Sequence, residues 1–214
     1  MTAFSYSVFA KGGPVMWLLV LLGLAAAVIF VERALFLHRA QIRSTEFLNG
    51  IKNLLQKDRL MEALTLSEET PGPVAKLVKS GLRHAGDDEP AMRFAVQEAA
   101  LAELPVLERR ISALAAIAQI APLFGLLGTL LGMIKTFWLF NQGGNYATPA
   151  VLAGGMWEAL LTAAAGLVVA IPAHLGRHFL GGRVRALVQD MEWAGNELMR
   201  FLLRDYRKNN GGGK

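Results

Sequence analysis

The 214-residue chain has no cysteine, which excludes a disulfide framework and any thiolate metal centre. It also lacks charge over three long stretches. Residues 14–31 carry no charged side chain over 18 positions, residues 111–134 none over 24, and residues 150–175 one acid, Glu158, over 26. A helix crosses a bilayer with about 20 predominantly apolar residues, so three spanning helices are expected. The hydrophobic share of 53% and the mean hydropathy of +0.36 exclude an ordinary soluble domain. Lys and Arg are missing from residues 140–149. Of the 22 basic residues, 12 lie between Glu32 and Ser112 and 8 between Ala173 and Lys214, leaving only Lys11 and Lys135 elsewhere. The net charge of +5 thus reflects topology rather than nucleic-acid binding, because positive residues stay on the cytoplasmic side. The N-terminus is expected outside, the long middle segment inside, the short loop outside and the C-terminus inside. The first apolar run exceeds the roughly 7–15 residue core of a secretory signal. Arg33, Arg39 and Arg43 follow it, so it reads as a retained helix.

No alternating strand pattern is present, and the expected fold is an all-α integral membrane protein with a helical cytoplasmic region. The expected boundaries are an outer N-terminus at 1–13, spans at 14–36, 111–139 and 150–175, cytoplasmic helices at 37–110, an outer loop at 140–149 and a cytoplasmic helix and tail at 176–214. The second and third helices are expected to extend into the cytoplasm. Within the middle region, Phe47, Leu48, Ile51, Leu54 and Leu55 have helical spacing, and Asp58 is read as the cap of a short helix through Glu69. Pro71-Gly72-Pro73 marks a break. Val74, Leu77, Val78, Gly81 and Leu82 form another helical stripe, ended by Gly86-Asp87-Asp88. Pro90 sits where a helix begins. Leu104, Leu107, Ile111, Leu114, Ala118, Ala121, Gly125, Gly128 and Gly132 then alternate spacings of three and four, read as one continuous helical seam. Its upper part is Ala and Gly, which lets backbones approach closely in lipid, and Pro105 and Pro122 are expected kinks. Leu180, Val184, Leu187, Val188, Met191, Leu198, Phe201 and Leu202 mark an amphipathic helix, and the final residues 209–214 are expected to be disordered.

Glu158 is the one acid of 17 well inside an apolar span. A charge at mid-bilayer costs about 2.5–3.5 kcal/mol on insertion scales, so such a residue marks an ion or proton path by default. Snorkelling to the outer surface is the structural alternative. Thr162 follows one turn later on the same face, then Gly166 at the same spacing, and Thr129 lies beside the small seam of the second span. These hydroxyls are candidates to line a proton path, against the alternative of bonding back to their own helix. His174 and His178 stand at i, i+4, a metal-binding spacing. No acid or thiol joins them, and they are read as interfacial. Trp17, Trp138 and Trp157 fit an outer aromatic belt, and Lys135 is read as snorkelling. No phosphate loop, nucleophile triad or metal-ligand cluster is visible, so neither an enzyme nor a cofactor is expected.

Residues 121–134 (APLFGLLGTLLGMI) and 157–173 (WEALLTAAAGLVVAIPA), with GGPVM at 12–16 and LERR at 107–110, resemble the signatures of the MotA/TolQ/ExbB proton-channel family, and the chain is most similar to ExbB. The resemblance covers all three spans in order. It implies a homopentamer in the bacterial inner membrane, with its second and third spans lining a central pore and its N-terminus in the periplasm. It implies partners: an ExbD- or TolR-like single-span subunit in the pore, a TonB- or TolA-like protein, and membrane lipid. The proton motive force would then drive transport at the outer membrane. The family's glutamate falls on Glu158 and its second-span threonine on Thr129. Where members often carry a threonine five residues after that glutamate, this chain has Ala163, which leaves Thr162, about 100° away around the helix.

Overall fold

The structure is a computed structural model that describes residues 13–142 and 148–206. Most of the expected outer N-terminus, the middle of the expected outer loop and the expected disordered tail lie outside the described residues. The described residues form α-helices α1 (Gly13–Ala40), α2 (Ser44–Gln56), α3 (Leu60–Glu69), α4 (Pro73–Arg83), α5 (Glu89–Glu108), α6 (Ile111–Gln142) and α7 (Pro149–Phe201). A π-helical turn, Leu202–Tyr206, follows, and there is no strand among the described residues. Three helices are long and apolar enough to cross a membrane. The protein is an all-α integral membrane protein.

The chain folds as two compact units. The first comprises residues 1–33 and 110–179, the second residues 34–109 and 180–214. In the first unit α6 and α7 pack through small residues. An added Cβ at Gly125 would lie 3.1 Å from the Thr162 carbonyl oxygen, and one at Gly132 would lie 3.3 Å from the Ala159 Cβ. No apolar driving force distinguishes helix from lipid, so backbone approach and close van der Waals contact hold the pair. On α1, Leu19 is buried with Ala121 and Ala170, and a Cβ added at Gly23 would lie 3.2 Å from Val169 Cγ2. Phe30 packs beside Gly176 and Phe179. The outer faces remain apolar and exposed, for example Leu24, Leu123, Ile134, Leu160 and Val168. On a water-soluble surface such an area would drive association; on a spanning helix it is ordinary.

In the second unit α2 to α5 and the C-terminal half of α7 bury Leu48, Ile51, Leu55, Leu77, Leu82, Met92, Leu187 and Leu198. The stripe Val74, Leu77, Val78, Gly81 and Leu82 forms the buried face of α4. Gly72 takes φ +117° with Ala40's carbonyl oxygen 2.7 Å from its would-be Cβ, so both backbone conformation and space require glycine there. Lys52 reaches Glu197 at 2.6 Å, joining α2 to α7, and Lys79 reaches Glu68 at 2.7 Å, joining α4 to α3. Each lysine, chiefly through its hydrogen bond and then its charge, holds its partner carboxyl below the ordinary glutamate value.

Two local expectations are corrected. Asp58 does not cap α3: Arg59 is the N-cap, without a side-chain cap hydrogen bond. Asp58 instead takes φ +59° and donates its N–H to the Leu55 carbonyl. It closes α2 in the left-handed conformation that a short polar residue tolerates. The seam from Leu104 to Gly132 is also not one uninterrupted helix. Arg109 is extended (φ −51°, ψ 135°) and Arg110 is left-handed (φ +65°), separating α5 from α6. Pro105, one turn earlier, has no N–H to give to the preceding turn. Arg110 forms a hydrogen-bonded ion pair with Glu32 of α1. Spacing continues through such a break because two residues change direction without changing the apolar pattern on either side.

Candidate functional site

Glu158 lies in the third turn of α7 and is half-buried. Residues 158, 165, 169, 172 and 176 share one side of α7, and Ala165 and Val169 pack on the Leu19 cluster of α1. Glu158 therefore faces α1 rather than the α6 seam. Its Oε1 lies 3.9 Å from the position of a Cβ on Gly13, the first residue of α1, where φ is +63°. The start of α1 therefore lies beside this carboxyl group.

Thr162 is 2% exposed and sits in the α6–α7 seam. Its hydroxyl donates to the Ala159 carbonyl at 2.8 Å. An added Cβ on Gly128 would come within 2.8 Å of Thr162 Cβ and Oγ1, so glycine at 128 is what admits this side chain. Thr129 is half-buried and donates to the Leu126 carbonyl at 2.6 Å. Both hydroxyls spend their proton on their own helix and keep lone pairs as acceptors. Ala118 and Ala121 are buried on the same side of α6 as Gly125 and Gly128. Gly166 brings its Cα face to 2.8 Å of the Ala121 carbonyl, measured from its would-be Cβ. The structure thus gathers Thr162, Gly166 and the small residues of α6 into one seam. Glu158 stands on the α1 side of α7, and Thr129 lies on the flank of α6.

Thr136 was not singled out from sequence, although it continues the series Gly128, Gly132 at the next interval of four. It is 5% exposed, donates to the Gly132 carbonyl at 2.7 Å, and fills the notch at Gly155. The approach of Gly13 to Glu158 had no sequence signal, because it joins distant segments. His174 and His178 are exposed, with their Nε2 atoms 3.2 Å apart. Trp17, Trp138 and Trp157 are exposed. No group of three His, Asp or Glu residues that could hold a metal occurs among the described residues.

Residues 69–193 match the MotA/TolQ/ExbB proton channel family. The chain is 33% identical over 161 residues to the ExbB-like 3 protein of Synechocystis sp., covering 75% of this chain and 77% of that one. It is 29% identical over 209 residues to the biopolymer transport protein ExbB of Neisseria meningitidis serogroup A, covering 89% and 93%. It is 34% identical over 125 residues to the Tol-Pal system protein TolQ of Haemophilus influenzae, covering 58% and 50%. A match spanning more than half the chain, and likeness along nearly the full length of an ExbB, place this three-span protein as an ExbB-like member of the MotA/TolQ/ExbB proton channel family.

Proposed function

We propose that this ExbB/TolQ-type motor subunit conducts protons in a complex that energises TonB-dependent transport across the outer membrane. Glu158 carries the reading: it is the acid of a spanning helix, half-buried, and placed beside the start of α1 at Gly13. There it binds and releases a proton; Thr162, in the α6–α7 seam, and Thr129, on the flank of α6, offer acceptor lone pairs to the same path. The seam of Ala118, Ala121, Gly125, Gly128, Gly132 and Gly166 holds α6 against α7 while the proton passes. The assembly is a homopentamer with an ExbD- or TolR-like single-span subunit in its pore and a TonB- or TolA-like protein as the output. The N-terminus is periplasmic and the C-terminus cytoplasmic. Support comes from the nearly full-length likeness to ExbB, the 20 of 22 basic residues in the segments expected inside, and the acid in the third span.

The test is siderophore-iron uptake in a strain lacking its own copy, with the cognate partner supplied and membrane levels matched. Glu158→Gln is expected to lower uptake to that of the empty strain while oligomer and partner binding persist. Normal uptake by the variant would leave a passive scaffold, with proton transfer confined to the partner. A wild type that restores envelope integrity but not uptake would instead assign a TolQ-like output, the reading favoured by the TolQ likeness.

A further inference from the structure

We propose that His174 and His178 form a two-imidazole site for a divalent transition metal ion of the zinc, nickel or copper(II) class. Residues four apart on a helix lie one above the other, and this pair is already turned inward. The Nε2 atoms stand 3.2 Å apart, and the rings meet edge-on with centroids 4.7 Å apart. A metal about 2.0–2.1 Å from each nitrogen would subtend an N–metal–N angle of about 100–106°, close to tetrahedral. The two nitrogens thus already stand at the separation a shared metal requires.

The protonation chemistry is consistent. At 3.2 Å one Nε2 donates and the other accepts. Metal binding requires a lone pair on both, so the donating ring moves its proton to Nδ1, with no net proton released from the neutral pair. Imidazole suits zinc, copper and nickel, whereas magnesium and calcium favour oxygen donors. Both rings are exposed, so ligands from outside the chain would complete the coordination sphere. Arg177, on the adjacent face of the same turn, opposes a dication, and among the described residues no carboxylate joins the pair. The site is therefore an exchangeable one of modest affinity, not a structural centre. It stands on the described geometry and does not depend on the proton-conducting reading.

The test uses the full-length protein in detergent, treated with chelator and titrated with zinc ion by calorimetry at neutral pH. Wild type is expected to bind one zinc per chain saturably and to gain thermal stability from it, as any ligand of the native state confers. His174→Gln and His178→Gln are each expected to weaken binding at least tenfold, about 1.4 kcal/mol, and to lose that thermal shift. His38→Gln, a histidine on α1, is expected to change neither. H174C provides a variant that restores a ligand: in a chain with no other cysteine it should bind zinc again. Equal binding by wild type and H178Q overturns the proposal, as does loss of binding in H38Q or absence of saturable binding by wild type.

Discussion

At Gly166 a methyl carbon would sit 2.8 Å from the carbonyl oxygen of Ala121 and 3.0 Å from the Cα of Gly125, both backbone atoms that cannot swing aside. Gly166→Ala must push α6 and α7 apart. Overpacking of this kind typically costs about 1–3 kcal/mol. Thermal unfolding in detergent should show a clear fall in Tm for this variant. Gly154→Ala, where nothing lies within 4 Å of the new carbon, should leave Tm nearly unchanged. Equal behaviour of the two would refute the close approach. Gly128→Ala is the intermediate case, because the obstacle is the Thr162 side chain rather than backbone. Its effect should shrink but not vanish when combined with Thr162→Ala, which removes Oγ1 and Cγ2 but keeps the Cβ that lies 2.8 Å from the new methyl.

On the scale of elements, two lysines tie the helices of the second unit together, Lys52 to Glu197 between α2 and α7 and Lys79 to Glu68 between α4 and α3. Both carboxyls have folded-state pKa values lowered from the ordinary 4.5. A depressed carboxylate contributes stability that is present above its unfolded pKa and is lost as pH falls through the folded one. Acid titration should therefore lower the Tm of the wild type more than that of Glu68→Gln/Glu197→Gln. The gap between the two, small because Glu68 is exposed and Glu197 only half-buried, should be present at neutral pH and closed once both glutamates are protonated. A gap that widened with acid would contradict the sign. The same helices show how far local pattern reaches. Val74, Leu77, Val78, Gly81 and Leu82 spelled the buried face of α4, because burial imposes a period that sequence retains. The break at Arg109 and Arg110 was invisible, since two residues with unusual backbone angles leave the three-and-four spacing intact. Asp58 was legible as a helix-end residue but was assigned to the wrong helix: the same short polar side chain serves an N-cap or a left-handed C-terminal position.

Across the whole molecule, the three spans were readable because hydrocarbon demands long uncharged runs, a constraint stronger than any packing preference. The partner of each face was not readable. Small-residue spacing marked a seam on α6, but nothing in it said that α7 lies opposite or that Thr162 fills the space at Gly128. The approach of Gly13 to Glu158 joins residues 145 positions apart and leaves no periodic trace. The orientation expected from the basic residues can be tested directly, because the chain has no native cysteine and one introduced thiol reports sidedness without background. Asn141 at the end of α6, Lys57 after α2 and Arg185 in α7 are all exposed. In intact spheroplasts a membrane-impermeant maleimide should label Asn141→Cys. Lys57→Cys and Arg185→Cys should become reactive only after lysis. The reverse pattern would place the N-terminus inside, and the proton path would then have to run with Glu158 near the cytoplasmic face. Labelling of Lys57→Cys but not Arg185→Cys in intact spheroplasts would mean an odd number of crossings between them, which three spans arranged in this order produce only if α6 or α7 fails to cross.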